Sequence, residues 1–193
     1  MKGTAGRSAS ASTVVFTVPN VISFVRILAI PVYWWLIVRA ETTTAGLIVF
    51  IGVVATDWVD GYVARRTGRV SELGKVLDPV ADRLAIASGL VALVIRGVFP
   101  LWAAVLILVR DASTLLIGAA LLAARRIRLD VRFLGKIATF TLMGAIPGIA
   151  WGNLGLPLGD VTLACGWVAF FVGIVEYYLA AGLYVADLRR AVE

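Results

Sequence analysis

Residues 57–82 read D-W-V-D-G-Y-V-A-R-R-T-G-R-V-S-E-L-G-K-V-L-D-P-V-A-D. Four carboxylates of this stretch lie in or beside long apolar runs: Asp57, Asp60, Asp78 and Asp82. An ionised carboxylate inside a bilayer costs about 2.5–3.5 kcal/mol on insertion scales, so charges kept at such places need partners. Metal ions are the partners that clustered carboxylates most readily take. The stretch therefore predicts a cation site between two apolar segments.

The composition of the chain indicates a membrane protein. Of its 193 residues, 61% are hydrophobic, and the mean hydropathy is +0.95. A soluble domain is nearer 45–50% apolar. The chain has no histidine, which excludes histidine metal sites, nucleophile pairs and proton relays, so acid–base work falls to Asp, Glu, Lys or Tyr. We interpret the net charge of +6 as a membrane-topology signal and expect no nucleic-acid partner.

Six apolar stretches approach the roughly 20 residues that cross the hydrocarbon core. They cover about residues 21–38, 44–63, 76–95, 101–124, 133–151 and 161–185. The segment N-V-I-S-F-V-R, residues 20–26, predicts a short amphipathic helix at the membrane surface before the first span. We therefore predict an all-α integral membrane fold with six transmembrane helices plus an N-terminal amphipathic surface helix.

The distribution of cations predicts the topology. Basic residues concentrate in the N-terminal tail, the second and fourth connections and the C-terminus. They are Lys2 and Arg7, then Arg65, Arg66, Arg69 and Lys75, then Arg125, Arg126, Arg128, Arg132 and Lys136, and finally Arg189 and Arg190. By the positive-inside rule both termini are cytoplasmic. We expect residues 1–18 to be a disordered cytoplasmic tail and residues 19–190 to form a single six-span domain.

This topology brings the four aspartates to one depth. The second span runs toward the cytoplasm and the third runs away from it, so both pairs lie near the cytoplasmic surface. Asp57 and Asp60 are three residues apart, and Asp78 and Asp82 are four apart, so each pair shares one helix face. We expect a multi-pass protein of the cell membrane with its active site at the cytoplasmic face.

The residue types of the stretch favour chemistry at phosphorus. Oxygen ligands from carboxylates suit Mg²⁺, Mn²⁺ or Ca²⁺, and two such ions about 4 Å apart can assist displacement at phosphorus. Gly61 and Ala64 are small enough to leave room for a ligand, and Arg65 can hold a phosphate by paired hydrogen bonds. A small cation transporter is an alternative, but it has no need for a phosphate-sized gap beside an arginine.

The spacing D-x2-D-G-x2-A-R-x8-G-x3-D-x3-D, from Asp57 to Asp82, resembles the signature of the CDP-alcohol phosphotransferase family at all eight fixed positions. The family is similar in having six spans, a preceding surface helix and cytoplasmic termini, so the resemblance covers residues 19–190. It implies two divalent ions, Mg²⁺ or Mn²⁺, held by Asp57, Asp60 and Asp78 with Asp82 sharing. It also implies that Asp82 is the general base, and that the enzyme is a homodimer.

The resemblance further implies which residues contact the CDP-diacylglycerol donor. These are Gly61, Ala64, Arg65, Ser71 and Gly74 in the motif region, with Asn20, Ser23 and Arg26 from the surface helix. The implied reaction is attack of an alcohol on the β-phosphorus of CDP-diacylglycerol, with CMP leaving.

The acceptor alcohol is predicted from residues outside the motif. The beginning of the first span, the segment G-K-I-A-T-F-T-L-M at residues 135–143, and Arg110-Asp111 resemble the cardiolipin synthase and phosphatidylglycerophosphate synthase branch. Arg-Asp is similar to the pair in the cardiolipin synthases of the branch, so the resemblance implies phosphatidylglycerol as acceptor, giving cardiolipin, with glycerol 3-phosphate as the alternative. Candidate acceptor contacts are Arg110, Asp111, Arg132 and Lys136.

For some residues inside the predicted spans, a structural role is the alternative interpretation. Arg110 and Glu176, both inside predicted spans, could pair with each other to hold helices together. Several glycines inside spans predict close helix contacts: Gly52, Gly89, Gly118 and Gly144.

Overall fold

The computed structural model describes residues 18–67, 72–123 and 133–192, with side chains described for residues 24–56, 80–113, 116 and 140–179. Over these residues the chain is all helical, which confirms the predicted fold class at that level. The helices are α1 (Val18–Val38), α2 (Thr43–Thr67), α3 (Glu72–Ile95), α4 (Leu101–Ala123), α5 (Phe133–Asn153) and α6 (Gly159–Val192). The predicted tail lies outside the described residues except for Val18, which begins α1.

The prediction of a separate surface helix at residues 20–26 is wrong for the described chain. Residues 18–38 form one continuous helix, which runs through Arg26 and, farther on, through Pro31. Pro19 takes the second position of α1, where its missing N–H costs little. Arg26 is 5% exposed whereas Phe24 and Val25 are 59% and 56% exposed, so protein covers one face of this part of α1.

The helices differ in how closely they pack. Among the described residues, α1 packs against both α2 and α3, and α5 packs against α6, whereas fewer residues join α2 to α3. The centre of the first group is formed by fully buried side chains such as Tyr33, Leu47, Phe50 and Leu90. Tyr33 also binds α3 by polar contacts, because its hydroxyl donates to the Ala85 carbonyl oxygen at 2.7 Å.

Glycines let α5 and α6 approach backbone to backbone. A Cβ added at Gly166 would lie 2.8 Å from the Ile149 backbone nitrogen, and one added at Gly152 would lie 2.5 Å from Leu163 Cβ. Among the predicted contact glycines, Gly89 is confirmed, since its added Cβ would lie 2.2 Å from a ring carbon of Phe50.

Two of the predicted contact glycines are not at contacts. Within the part of the chain that the structure describes, an added Cβ at Gly52 or Gly144 would meet nothing within 4 Å, so those two predictions are wrong there. The surroundings of Gly118 lie outside what the structure describes. Hydropathy identifies glycines within a span but not which face of the helix meets a neighbour.

By length and composition, one segment within the described chain is long and apolar enough to cross a membrane: Gly159–Leu179 of α6. Shorter apolar segments are Phe24–Val38 and Thr43–Thr56. Large hydrophobic side chains are exposed on the outer faces of α1, α4 and α6, among them Trp35, Val109 and Phe171.

Candidate functional site

The backbone of α2 carries Asp57 and Asp60, and that of α3 carries Asp78 and Asp82. α2 continues to Thr67 and α3 already begins at Glu72, so both helices extend about one turn beyond the predicted spans. The aspartates therefore lie farther from the helix ends than the sequence predicted. Helices extend beyond apolar segments because residues such as Ala64 and Arg65 are good helix formers.

Two contacts fix the register between α2 and α3. Arg96, just after α3, donates from Nε to Thr43 Oγ1 at 2.9 Å, and Phe50 lies against Gly89. Phe50 is seven residues after Thr43, and Gly89 is seven residues before Arg96. A further seven-residue step reaches Asp57 on α2 and Asp82 on α3. Because seven residues are about two turns, these two positions continue the same row at one depth.

Asp82 is the motif carboxylate whose side chain is described, and it forms an ion pair with Arg26 of α1. The Arg26 side chain is 4% exposed and that of Asp82 is 24% exposed. A cavity of about 10 Å³ lies beside the pair, which is room for roughly one water molecule. Its lining comes from four helices: Arg26, Val53, Val54, Asp82, Ala85, Ile86 and Met143. The predicted base and one predicted donor contact thus lie together.

The other predicted site residues are described only in part. Those on helix backbones, with side chains outside the described residues, are Asp57, Asp60, Asp78, Asn20, Ser23, Gly61, Ala64, Arg65, Gly74 and Lys136. Ser71 and Arg132 lie outside the described chain altogether. Among the side chains that are described, no three Asp, Glu, Cys or His residues form a group able to hold a metal ion. The donor set of the motif itself, carboxylate oxygens alone, fits Mg²⁺ or Mn²⁺.

A second buried polar group lies where α3, α4 and α6 meet. Arg110 Nη1 of α4 donates to Asp111 Oδ1 at 2.7 Å, and Nε of Arg83 from α3 lies 4.0 Å from the same oxygen. Arg110 is 7% exposed and Asp111 is 8% exposed. We call this group the α4 cluster. It consists of Arg83, Arg110 and Asp111, together with Ser113 of α4 and Tyr177 of α6.

α6 contributes Tyr177 to the α4 cluster. The Arg110 guanidinium carbon lies 4.8 Å from the centre of the Tyr177 ring. The Tyr177 hydroxyl shares a hydrogen bond of 3.1 Å with Ser113 Oγ. Glu176, the neighbouring residue, accepts a hydrogen bond from Thr141 of α5 at 3.4 Å.

Sequence reasoning missed Arg83 and Tyr177. Arg83 follows Asp82 directly inside an apolar span, and its charge there is a signal that could have identified it. Tyr177 carries no such signal, because a tyrosine in an apolar helix is usually a packing or interface residue.

The chain is similar to known proteins over most of its length. The sequence profile of the CDP-alcohol phosphatidyltransferase family matches residues 16–175. Cardiolipin synthase (CMP-forming) of Streptomyces coelicolor is 37% identical over 183 residues, which is 92% of this chain and 85% of that protein. A putative cardiolipin synthase of Mycobacterium tuberculosis is 34% identical over 92% of this chain and 85% of its own length.

A relative with a different acceptor is also similar. The CDP-diacylglycerol–glycerol-3-phosphate 3-phosphatidyltransferase of Bacillus subtilis is 32% identical, over 84% of this chain and 94% of that protein. The matches confirm the resemblance that the aspartate motif predicted, and they give no support to the cation-transporter alternative.

Proposed function

Because the chain belongs to the CDP-alcohol phosphatidyltransferase family, whose members are membrane-bound enzymes of phospholipid synthesis, we propose that it makes cardiolipin. It transfers the phosphatidyl group of CDP-diacylglycerol to phosphatidylglycerol and releases CMP. Two relatives that are named cardiolipin synthases, at 37% and 34% identity, support this acceptor over glycerol 3-phosphate.

The observation that carries the choice of acceptor is the pairing of Arg110 with Asp111. Glycerol 3-phosphate brings a phosphate with up to two negative charges, which needs several cations that are not already neutralised. Phosphatidylglycerol brings one negative charge. The candidate acceptor contacts Arg132 and Lys136 have no described side chains, so the count covers the described side chains of the α4 cluster. There the carboxylate of Asp111 offsets one of the two guanidinium charges, those of Arg83 and Arg110, so these three side chains carry a net charge of about +1. That charge matches a phosphodiester better than a phosphomonoester.

The protein's part in the reaction centres on Asp82. Its carboxylate takes the proton from the acceptor hydroxyl as the hydroxyl oxygen bonds to the β-phosphorus, and the bond from that phosphorus to the CMP oxygen breaks. Arg26 holds the Asp82 carboxylate from α1 and so orients it beside the cavity. We assign Asn20, Ser23, Arg26, Gly61, Ala64, Arg65, Ser71 and Gly74 to the donor site.

Family members use divalent metal ions, and the carboxylates of Asp57, Asp60, Asp78 and Asp82 are the residues that would hold two of them. When bound, such ions offset negative charge on the diphosphate. The common row that relates Asp57 to Asp82 through Phe50 and Gly89 supports this assignment.

The membrane arrangement is proposed on the same basis. All six helices have at least 21 residues, enough for about 30 Å of rise, and the cations group at alternate connections. We infer six spans, cytoplasmic termini, an active site at the cytoplasmic face of the cell membrane, and a homodimer by family resemblance. Accessibility of engineered cysteines on each side of the membrane, in a Cys165→Ser background, tests the topology.

The reaction is tested with purified protein in mixed micelles that contain CDP-diacylglycerol and Mg²⁺. Phosphatidylglycerol and glycerol 3-phosphate are supplied in parallel, CMP is quantified, and the lipid product is identified by mass. We expect cardiolipin with phosphatidylglycerol and no phosphatidylglycerophosphate with glycerol 3-phosphate. The reverse pattern would establish the activity of the Bacillus relative instead, and no CMP with either acceptor would contradict both.

A further inference from the structure

We propose that Tyr177 of α6 is a positioning residue for the acceptor, because its ring fixes the guanidinium group of Arg110. This inference rests on the proposed function for the identity of the acceptor, since Arg110 is one of the predicted acceptor contacts. Arg110 and Asp111 are adjacent in sequence, whereas Tyr177 comes from another helix.

The guanidinium of Arg110 is held on two sides. Its Nη1 donates to Asp111 Oδ1 at 2.7 Å, and its central carbon lies 4.8 Å from the centre of the Tyr177 ring. A cation this close to an aromatic face is attracted by the negative face of the ring, and the attraction is stronger where water is excluded. Arg110 is 7% exposed, so water is largely excluded here.

The position of the ring is itself fixed by the tyrosine hydroxyl. That hydroxyl shares a 3.1 Å hydrogen bond with Ser113 Oγ and lies 3.5 Å from the carbonyl oxygen of Arg110, toward which it can donate. Ser113 Oγ in turn donates toward the carbonyl oxygens of Val109 and Arg110, each at 2.8 Å. The ring is thus tied to the turn of α4 that carries Arg110.

Tyr177 is not needed to hold α4 and α6 together. Trp102 of α4 stacks on Trp167 of α6 with ring centres 5.4 Å apart, and it meets Phe170 edge to face at 5.5 Å. These contacts lie about two turns away from Arg110 and do not involve Tyr177, so we expect them to persist when Tyr177 changes. The placement of Tyr177 therefore serves the guanidinium more than the helix interface.

Kinetics of two substitutions test the inference. Tyr177→Leu removes the ring face, and we expect it to raise KM for phosphatidylglycerol about tenfold while leaving KM for CDP-diacylglycerol unchanged. Tyr177→Phe keeps the ring face but loses the hydroxyl that ties the ring to α4, so its KM for phosphatidylglycerol should rise by up to about threefold, less than in Tyr177→Leu. Phe171→Leu, an exposed aromatic on the same helix, is the matched control and should change neither constant.

Three outcomes would overturn the inference: an unchanged KM for phosphatidylglycerol in Tyr177→Leu, equal rises in both KM values together with a lower melting temperature, or equal losses in the Phe and Leu variants. The wild-type product is determined first, so failure of the proposed function is seen separately. If the wild type uses glycerol 3-phosphate instead, the same variants are compared on KM for that acceptor. The inference then holds only if Tyr177→Leu raises the KM for glycerol 3-phosphate and leaves the KM for CDP-diacylglycerol unchanged.

Discussion

The helix pairs α5–α6 and α2–α3 are both consecutive in the chain, yet they pack differently. α5 and α6 meet backbone to backbone at Gly152 and Gly166, near the loop that joins them, and by a hydrogen bond at Thr141 about three turns farther along. Among the side chains that the structure describes, α2 and α3 touch at Phe50 and Gly89, away from their connection.

The difference follows from what each pair carries. No carboxylate of the motif lies on α5 or α6, so glycines can bring their backbones together for dispersion contacts alone. α2 and α3 carry the four aspartates between the Phe50–Gly89 contact and their connection, and α1 supplies much of the packing that holds them. Among the described side chains, the position of the aspartate-bearing segments thus depends on that contact and on a third helix.

The largest loss of activity should come from a change in the helix pair that carries the carboxylates, α2 and α3. Asp82→Asn removes the base while keeping the side-chain size, and we expect the rate of CMP release to fall about 10²- to 10⁴-fold. Melting in detergent should show that the variant remains folded. Asp160→Asn, in the exposed first turn of α6, is the control and should keep full activity. Equal losses in the two variants would contradict a special role for Asp82.

Gly89→Ala tests whether the α2–α3 contact sets the position of the aspartates. The added Cβ would lie 2.2 Å from Phe50, a ring that is 1% exposed and so has little space to move into. We expect a loss of about 1–3 kcal/mol in stability. We also expect activity per folded molecule to fall about 10- to 100-fold, because misplacing reacting groups by about 1 Å is costly.

A smaller side chain at the neighbouring position should relieve the clash. Phe50→Leu combined with Gly89→Ala should recover part of both losses, which melting and CMP release measured on the double variant would show. A double variant that is no better than Gly89→Ala alone would argue that the clash with Phe50 is not the cause.

Gly166→Ala makes the parallel change at the pair without carboxylates. Its Cβ would lie 2.8 Å from the Ile149 backbone nitrogen, so the helices must separate, at a cost of about 1–3 kcal/mol. Activity per folded molecule should stay near the wild-type value, in contrast to Gly89→Ala. Gly144→Ala on α5, with nothing within 4 Å, is the control and should be neutral or stabilising by up to about 1 kcal/mol. A large activity loss in Gly166→Ala would remove the distinction between the two pairs.

The sequence predicted the helices well because hydropathy and length act on each helix separately. The α1, α4 and α5 ends agree with the predicted spans to within about three residues, whereas α2 and α3 extend about four residues farther at their connection, and α6 ends about seven residues beyond its predicted span. The surface helix predicted at residues 20–26 is instead part of the continuous helix α1. The burial of Arg26 depends on Asp82 of another helix, which the local sequence does not show. The glycines at helix contacts were predicted poorly for a similar reason, because the residue that faces a glycine from another helix is set by how the helices assemble.

For the site, the motif predicted Asp82 and the family resemblance implied Arg26, and the structure brings both to one cavity. The metal-ligand roles of Asp57, Asp60 and Asp78 stay predictions. Tyr177 could not be predicted, because its significance comes from the guanidinium beneath its ring and not from its own sequence neighbours.

The smallest effect should come from the bridge that α1 makes to α3. The Tyr33 hydroxyl donates to the Ala85 carbonyl oxygen at 2.7 Å and shares a hydrogen bond of 2.5 Å with Ser88 Oγ. Tyr33→Phe keeps the buried ring, and Ser88 can still donate to Ala85 at 3.1 Å, so no strong orphan is created. We expect a loss of about 1 kcal/mol, seen as a slightly lower melting temperature. Because Ala85 lies one turn from Asp82, a fall in activity that exceeds this stability loss would show that α1 positions the base as well as supporting the fold.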